Sequence, residues 1–227
     1  MHSAPASSEF VHPVLAGRED ASAELADAVR RLIGLTTATP APADVTLAAV
    51  RDLNAIADVL ESHVPETPLP NTVVHQPVAE GLPDLTARMP FDVVIGRHNP
   101  LAVPLKVSFE PPKALLKGTF TRAYEGPPGC VHGAMLASAF DLLLAAATVV
   151  AGVPGPTARL ELKYRRPTLL NVPCVLEGEV EQHDGRSVRT VGRLIQNGHV
   201  TVEAVGDFVK LDREQIERMA RRAQGVS

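Results

Sequence analysis

The feature that most constrains this chain is a long apolar stretch containing a single charged residue. Residues 134–150 are Ala-Met-Leu-Ala-Ser-Ala-Phe-Asp-Leu-Leu-Leu-Ala-Ala-Ala-Thr-Val-Val, with Asp141 near the middle. A helix that is apolar on all sides lies in a protein core or in a membrane. A carboxylate is costly in either environment unless it is paired, neutralised or used chemically. The sequence therefore predicts a buried core helix in which Asp141 is a buried acid with a function.

Membrane insertion is the alternative for this stretch, and three features argue against it. The stretch is slightly short for a span, its flanks lack basic anchors, and a central Asp costs about 2.5–3.5 kcal/mol to insert. The chain has 227 residues, of which 45% are hydrophobic, and that length allows a sizeable core. We therefore expect a core helix and no membrane span.

Charge and cysteine content limit the class of protein further. The net charge of -4 gives no reason to expect nucleic-acid binding. The two cysteines, Cys130 and Cys174, are too few for a disulfide framework and suit a reducing compartment. The N-terminus lacks the basic and apolar regions of a signal peptide. We expect a cytoplasmic protein.

The hydrophobic pattern divides the chain into four parts. Two helices are predicted in the first half, from Arg18 to Leu35 and from Asp44 to Val64, because apolar residues recur there at helical spacing. They would form a helical hairpin, for which packing on the main domain and packing on another subunit are both open. The predicted parts are a disordered tail (1–15), the hairpin with a proline-rich connector (16–90), the main domain (91–211), and a short charged helix with a tail (212–227).

The residue pattern of the main domain is typical of an antiparallel sheet. Asp184-Gly185 and Asn197-Gly198 are strong hairpin signals, so the last three strands form a meander. Strict alternation from Thr157 to Arg166 predicts another strand, with Thr157 on its polar side. Two strands, one long apolar helix and four further strands are best explained by an α+β fold in which one sheet wraps around one helix. The predicted strands are 103–110, 113–122, 157–166, about 172–182, 187–196 and 199–210.

Gly133 and Asp141 together suggest acyl chemistry. Gly133 falls in the first helical turn, where backbone N–H groups lack partners and the helix dipole is positive. A glycine there lets a substrate carbonyl approach closely, as an oxyanion-stabilising donor requires. Asp141 would attack a thioester carbon or activate a water. However, eight residues of helix separate the two by about 12 Å, so we expect two antiparallel copies that share their sites across a two-fold axis.

Two segments carry a resemblance to a known family. Residues 124–134, Tyr-Glu-Gly-Pro-Pro-Gly-Cys-Val-His-Gly-Ala, followed by Asp141, resemble the PaaI-like hotdog-fold acyl-CoA thioesterases, which have His-Gly-Gly at the helix start and an aspartate nine residues after the His. Residues 157–167, with Gly185-Arg186, are similar to mammalian thioesterases related to the carboxyl-terminal modulator protein. The resemblance covers residues 92–211. It implies a hotdog homodimer or dimer of dimers that hydrolyses acyl-CoA in fatty acid metabolism, without a cofactor other than the substrate's coenzyme A.

The resemblance also implies roles for individual residues. Asp141 matches the catalytic base or nucleophile, and Gly133 matches the residue whose N–H polarises the thioester carbonyl. His132 matches the motif histidine that shapes the helix start, although a purely structural histidine is equally consistent. Thr157 matches a Ser/Thr position that helps to hold the attacking water. Three cations match the family's contacts with coenzyme A, or else form a solvated basic strand face: Lys163, Arg165 and Arg186.

The sequence departs from the family pattern at two positions. Ala134 replaces the second glycine of His-Gly-Gly, which narrows the helix start without removing an N–H. Gly126 stands where some relatives have a water-positioning Asn or Gln, and the neighbouring Glu125 is a candidate substitute.

Other functions are less well supported by the residues. A non-catalytic acyl-CoA-binding or regulatory module on the same fold is the main alternative. A dehydratase is disfavoured because the nine-residue spacing puts His132 and Asp141 on opposite helix faces. Cys130 with His132 has no orienting third group for nucleophilic catalysis. These two residues with Asp141 lack a zinc-type ligand pattern, so no metal site is expected.

Overall fold

The main domain is one antiparallel sheet of six strands wrapped around one helix. The computed structural model describes residues 10–67, 81–103, 105–212, 214, 215 and 218. The strand order is β1-β2-β4-β5-β6-β3, so β1 and β3 form the two edges. The strands are β1 (Lys106–Glu110), β2 (Lys113–Thr119), β3 (Thr157–Tyr164), β4 (Pro173–Asp184), β5 (Ser187–Gln196) and β6 (His199–Val209).

The sheet covers most of the long apolar helix, here the fourth in the chain. This helix, α4, spans Gly133–Val150, and half of it is buried inside the protein although its length and composition would suffice for a membrane span. Gly178 on β4 and Gly192 on β5 are direct partners in the sheet. A Cβ at either position would lie 3.1 Å from a side-chain carbon of Leu144. The missing side chains therefore let the helix pack closely against the sheet.

The predicted wrapping of a sheet around a core helix is confirmed. All six strands occur near their predicted positions, and the two Gly-containing turns connect β4, β5 and β6 as a meander. The largest differences are three residues, at the start of β1, which begins at Lys106 rather than at residue 103, and at the end of β2, which stops at Thr119 rather than at residue 122. Val103 and Leu105 are instead buried in the loop that precedes the strand.

The chain before residue 16 is more structured than the sequence suggests. Pro13–Leu15 form a short 3₁₀ helix, and the side chain of His12 caps it by accepting a hydrogen bond from the Val14 N–H. His12 and Leu15 are both buried, at 2% and 3% exposure. The predicted disordered tail is therefore wrong for residues 12–15, because they form a capped helical turn that buries His12 and Leu15. Residues 1–9 lie outside the described residues.

The two N-terminal helices are present but differ in their packing. Helix α1 spans Glu19–Thr36 and buries Ala23 and Ala26, whereas α2 spans Ala43–Glu61 and buries no residue. Of the two open possibilities, packing on the main domain therefore applies to α1. The apolar side chains of α2 are exposed, among them Val45, Leu47, Val50, Ile56, Val59 and Leu60.

The connector and the C-terminus are described only in part. Residues 68–80 of the proline-rich connector lie outside the described residues. After them a short helix, α3 (Leu85–Arg88), buries both of its end residues. The predicted C-terminal helix also falls largely outside the described residues, although Glu214, Gln215 and Arg218 are helical.

Candidate active site

Helix α4 leaves one strip of its surface uncovered by the sheet. Asp141 lies on this strip and is exposed, so the prediction of a buried acid is wrong for the single protomer. The sheet wraps the other faces of the helix and ends at the edge strand β3. The other strip residues are small and recur every three or four positions: Ala134, Ala137, Ser138 and Ala145. A second helix could therefore approach closely along this line.

Thr157 is the hydrogen-bond partner of Asp141. Its Oγ1 donates to Asp141 Oδ1 over 2.7 Å. The alternation predicted that Thr157 would lie on the outer side of the sheet, but a β-bulge breaks the alternation between Thr157 and Arg159. Because one extra residue lies at the bulge, Thr157 pairs with the core-facing Phe208 and its side chain turns towards α4.

The start of α4 is capped by the motif histidine. His132 is the residue before the helix, and its Nδ1 accepts a hydrogen bond from the Ala134 N–H over 3.0 Å. Its carbonyl accepts from the N–H groups of Met135 and Leu136. Among the described residues, no acceptor binds the N–H of Gly133. At the helix start, the Gly133 N–H is thus an unused backbone donor, whereas the Ala134 N–H is bound by His132.

Tyr164 closes the other side of Gly133. Its hydroxyl donates to the Gly133 carbonyl over 3.1 Å, and a Cβ at this position would lie 3.1 Å from that hydroxyl. A glycine therefore fits here for a packing reason as well as a chemical one. Strand β3 contacts both predicted catalytic residues of α4, with Thr157 at Asp141 and Tyr164 at Gly133.

The turn before His132 explains why Gly126 has no side chain. A Cβ at Gly126 would lie 2.8 Å from the Cα of His132, which leaves no room for the Asn or Gln of some relatives. Glu125 does not substitute for it in this conformation. One carboxylate oxygen of Glu125 accepts from the Gly129 N–H over 2.7 Å, and the other lies 3.8 Å from Arg122 Nε. Glu125 therefore stabilises the turn.

A comparison with solved structures identifies the family. A crystal structure of the thioesterase superfamily protein RHA08564 is 34% identical to this chain and aligns with a TM-score of 0.68. The alignment covers 83% of this chain and 94% of that one. The chain belongs to the thioesterase superfamily. The predicted hotdog fold is thereby confirmed, and membership extends to most of the N-terminal half of the chain.

Curated relatives in the same superfamily match a shorter part of the chain. The acyl-coenzyme A thioesterase THEM4 of Xenopus laevis is 32% identical over 89 residues, and that of Mus musculus is 30% identical over 93 residues. The chain spans about two fifths of the length of these relatives, since each match covers 40% of the relative. No family model matches the sequence.

The three cations that the family pattern assigns to coenzyme A do not form one cluster. Lys163 lies opposite Glu203 on the outer face of the sheet, and Arg165 donates twice to the same glutamate, at 2.6 and 2.9 Å. Arg186 lies in the β4–β5 turn, where its carbonyl accepts from Lys210 N–H. Lys210 follows β6 and is seven positions after Glu203, which corresponds to about 23 Å along an extended chain. Within one protomer, Arg186 is therefore at the Asp141 end and the other two cations are at the Gly133 end.

Other candidate groups do not form a site in this member of the superfamily. In the described part of the chain, no group of three or more His, Cys, Asp or Glu side chains could hold a metal ion. Burial raises the pKa of the Cys174 thiol to about 11, so it is not a nucleophile near neutral pH. A shallow groove crosses the outer face of the sheet near Glu177 and Arg193, on the side away from α4. None of the predicted catalytic residues lines it.

Sequence reasoning missed two tyrosines that organise the helix start. Tyr164 belongs to a predicted strand, and its alternation with Leu162 and Leu160 places it on the side that faces the helix. Tyr124 is the first residue of the segment 124–134, and its backbone carbonyl accepts from the His132 N–H over 2.9 Å. These are the only tyrosines in the chain, and the available signal is that each lies in one of the two segments that carry the resemblance.

Proposed function

We propose that the protein is an acyl-CoA thioesterase that works as a homodimer or a dimer of dimers. The water held at Asp141 attacks the thioester carbon, and its proton passes to the carboxylate. The Gly133 N–H of the second copy stabilises the oxyanion. When the carbon–sulfur bond breaks, the CoA sulfur takes the proton, and the products are a free carboxylic acid and CoA. An attack by Asp141 itself, through an anhydride, remains an alternative route to the same products.

The division of the site into two incomplete halves carries this proposal. The start of α4 has an unused N–H at a glycine, and the middle of α4 has an exposed carboxylate held by a threonine hydroxyl. About 12 Å of helix separates them, so they cannot act on one carbonyl within one chain. A two-fold axis across the strip of small residues on α4 would bring Asp141 of one copy to Gly133 of the other.

The free edge of the sheet supports the same dimer. Among the described residues, strand β3 pairs with β6 alone, which leaves a row of backbone donors and acceptors at its outer edge. Such an edge is suited to pair with an identical strand. Pairing β3 with its copy in antiparallel orientation would continue the sheet and bring the two α4 helices together.

The dimer would also bring the separated cations together. Arg186 is at the Asp141 end of the protomer, whereas Lys163 and Arg165 are at the Gly133 end. An antiparallel copy would bring Arg186 near Lys163 and Arg165 of the other chain, and cations suit the phosphates of coenzyme A. Glu203 already pairs with Arg165, so a phosphate would compete with that carboxylate.

The first test is the release of CoA from a panel of aliphatic and aromatic acyl-CoAs. Wild type is expected to release CoA from at least one member, and Asp141→Ala is expected to lose about 10²–10⁴-fold in kcat. Asp58→Ala is a matched control, because Asp58 is an exposed aspartate on α2. Binding of acyl-CoA by wild type without release would favour a non-catalytic module. Equal rates for wild type and Asp141→Ala would exclude the proposed mechanism.

Mixing two inactive variants tests the shared site. Asp141→Asn and Gly133→Pro each damage both sites of their own homodimer. After unfolding and refolding together, each mixed dimer would regain one intact site, so the mixture should recover about a quarter of wild-type activity. A site built within one chain would give no recovery. Asp141→Asn refolded with Asp141→Ala is the control and should remain inactive.

A further inference from the structure

We infer that Arg30 and Tyr124 are positioning residues through which helix α1 fixes the His132–Gly133 turn. The inference rests on the proposed function, since it concerns the backbone donor that would stabilise the oxyanion. It adds a role for the N-terminal extension, which lies outside the hotdog sheet. Two consecutive sets of hydrogen bonds connect α1 to this turn, and each can be broken separately.

Arg30 connects α1 to the loop at 97–102. Its guanidinium donates to three backbone carbonyls of this loop: Nε to Ala102 at 3.3 Å, and Nη2 to Asn99 at 2.9 Å and to Arg97 at 3.3 Å. Its Nη1 pairs with Asp27 one turn earlier on the same helix. The side chain is only 20% exposed. Several donors in one planar group fix the position of this loop better than a single contact would.

Tyr124 binds the same carbonyl as Arg30. Its hydroxyl donates to the oxygen of Ala102 over 2.6 Å, so this buried carbonyl accepts from both side chains. Burial raises the pKa of Tyr124 above its usual value of 10.0, with a smaller opposing effect from Arg30. The hydroxyl therefore stays protonated and donates throughout the neutral pH range. Phe120, which is fully buried, packs edge-on against the ring at 6.3 Å between centroids.

The backbone of Tyr124 continues the connection from α1 to the His132–Gly133 turn. Its carbonyl accepts from the His132 N–H over 2.9 Å, and Glu125 pairs with Val131 beside it. His132 in turn caps α4 and supplies the peptide carbonyl that is conjugated with the Gly133 N–H. A shift of Tyr124 would therefore rotate or displace the peptide group that carries the proposed oxyanion donor. Displacements of about 1 Å at a reacting centre can cost roughly 10²-fold in rate.

Arg30→Met tests the first connection, and Arg31→Met is its matched control. Arg31 is the next residue on α1 and is exposed, so both changes remove one charge from the same helix. Arg30→Met is expected to lower kcat by roughly tenfold, with KM within twofold, whereas Arg31→Met should leave both unchanged. The size follows from the free energy of one to two hydrogen bonds. Arg30→Lys, which keeps the charge but donates less widely, should recover part of the loss.

Tyr124→Phe tests the second connection, and a double variant tests whether the two act together. The phenylalanine keeps the ring packing on Phe120 and removes the hydroxyl, so a loss of kcat of up to tenfold is expected. Because Arg30 and Tyr124 share one acceptor, the double variant should lose less than the product of the two single losses. A strictly multiplicative loss would show that they act through separate routes and would overturn the inference.

Hydrogen–deuterium exchange separates this inference from the proposed function, because it needs no substrate. Arg30→Met should raise deuterium uptake in the peptide 131–136 and leave the peptide 139–144 at its wild-type level. Arg31→Met should change neither. A uniform increase across the domain, or unchanged uptake at 131–136, would mean that Arg30 only stabilises the fold and would overturn the inference. If wild type releases no CoA yet this pattern of uptake holds, the proposed function fails while the positioning role stands.

Discussion

The start and the middle of helix α4 differ in how completely a single chain builds them. At the Gly133 end, His132 caps the helix, Tyr164 binds the Gly133 carbonyl, and Tyr124 holds the turn through its backbone carbonyl. In the middle of the helix, Asp141 is exposed and has one side-chain partner, Thr157, among the described residues. The Gly133 end is a finished donor, whereas Asp141 is a carboxylate without the surroundings that an active site provides.

This difference indicates which part of the proposed site would depend on a second copy of the chain. A backbone donor needs only to be held in position, and the chain does this with its own hydrogen bonds. A carboxylate that acts as a base needs a site from which bulk water is excluded, and one protomer leaves Asp141 in solvent. The exposed strip of α4 is the surface that a second chain would have to cover.

Apart from the loss of Asp141 itself, the largest effect is expected at the Gly133 end, where proline can remove the backbone donor. Gly133 is the first residue of the helix, a position that tolerates proline, and His132 has the extended ψ of 133° that proline requires before it. Gly133→Pro should therefore fold normally and lose about 10²–10³-fold in kcat. Thermal unfolding and CoA release check the two expectations.

Gly133→Ala is the matched control for this change, because it adds a carbon but keeps the N–H. The added Cβ lies 3.1 Å from the Tyr164 hydroxyl, so a small loss is expected from crowding alone. If alanine and proline are equally damaging, crowding accounts for the loss. Activity should then return in the double variant Gly133→Ala/Tyr164→Phe, and the N–H would have no special role.

An intermediate effect on kcat is expected at Asp141 from Thr157→Val. Valine keeps the shape of threonine but removes the hydroxyl that donates to the Asp141 carboxylate over 2.7 Å. A hydrogen bond to a charged group contributes about 1.5–3 kcal/mol, so kcat should fall by roughly 10–100-fold. Thr157→Ser keeps the hydroxyl and should retain most of the activity. Equal losses in both variants would argue that methyl packing matters rather than the hydrogen bond.

The smallest effect is expected in the pH dependence of the free energy of unfolding, through the histidines His12 and His98. Burial lowers the pKa of His12 below 6.5, and burial together with Arg97 lowers that of His98. Both rings pack against Phe91. Both histidines bind protons more readily in the unfolded chain than in the folded protein. Their contribution to the free energy of unfolding is therefore fully present above pH 6.5 and is lost as the pH falls below that value.

Urea unfolding at pH 7.5 and 5.5 measures this loss. His12→Asn can still cap the Val14 N–H but does not titrate, so its unfolding midpoint should depend less on pH than that of wild type. An identical pH dependence in the two proteins would show that His12 does not contribute.

Most of the fold could be predicted because it depends on local patterns. The Asp-Gly and Asn-Gly turns determine the meander. The apolar helix over 134–150 must be buried by other elements on most of its sides. The exposure of Asp141 could not be predicted, because it depends on where the sheet ends around the helix. Likewise, α1 and α2 have similar apolar patterns, yet only α1 buries any of its residues. Apolar periodicity predicts a helix but does not specify its partner.

Which residues form the candidate site stays a prediction, and the sequence could determine only part of their arrangement. Gly133 and Asp141 lie on one helix that His132 caps, so their spacing followed directly from the sequence. The separation of Arg186 from Lys163 depends on strand direction and hairpin position, and alternation within one strand cannot show it. Tyr164 reaches the helix start through a contact 31 residues apart in the chain, and the hydroxyl of Tyr124 binds the carbonyl of Ala102, which lies 22 residues before it.

The β-bulge at Ala158 makes the direction of the Thr157 side chain depend on backbone pairing alone. If β3 alternated regularly with Ala158 in register, Thr157 would turn to the outer face, away from Asp141. Loss of the Ala158 codon would instead leave Thr157 directly before Arg159 and opposite Phe208, still facing α4. Counting back from the Arg-Pro pair at 166–167 therefore does not locate the threonine in a relative whose strand lacks the extra residue, because its equivalent lies one position nearer to that pair.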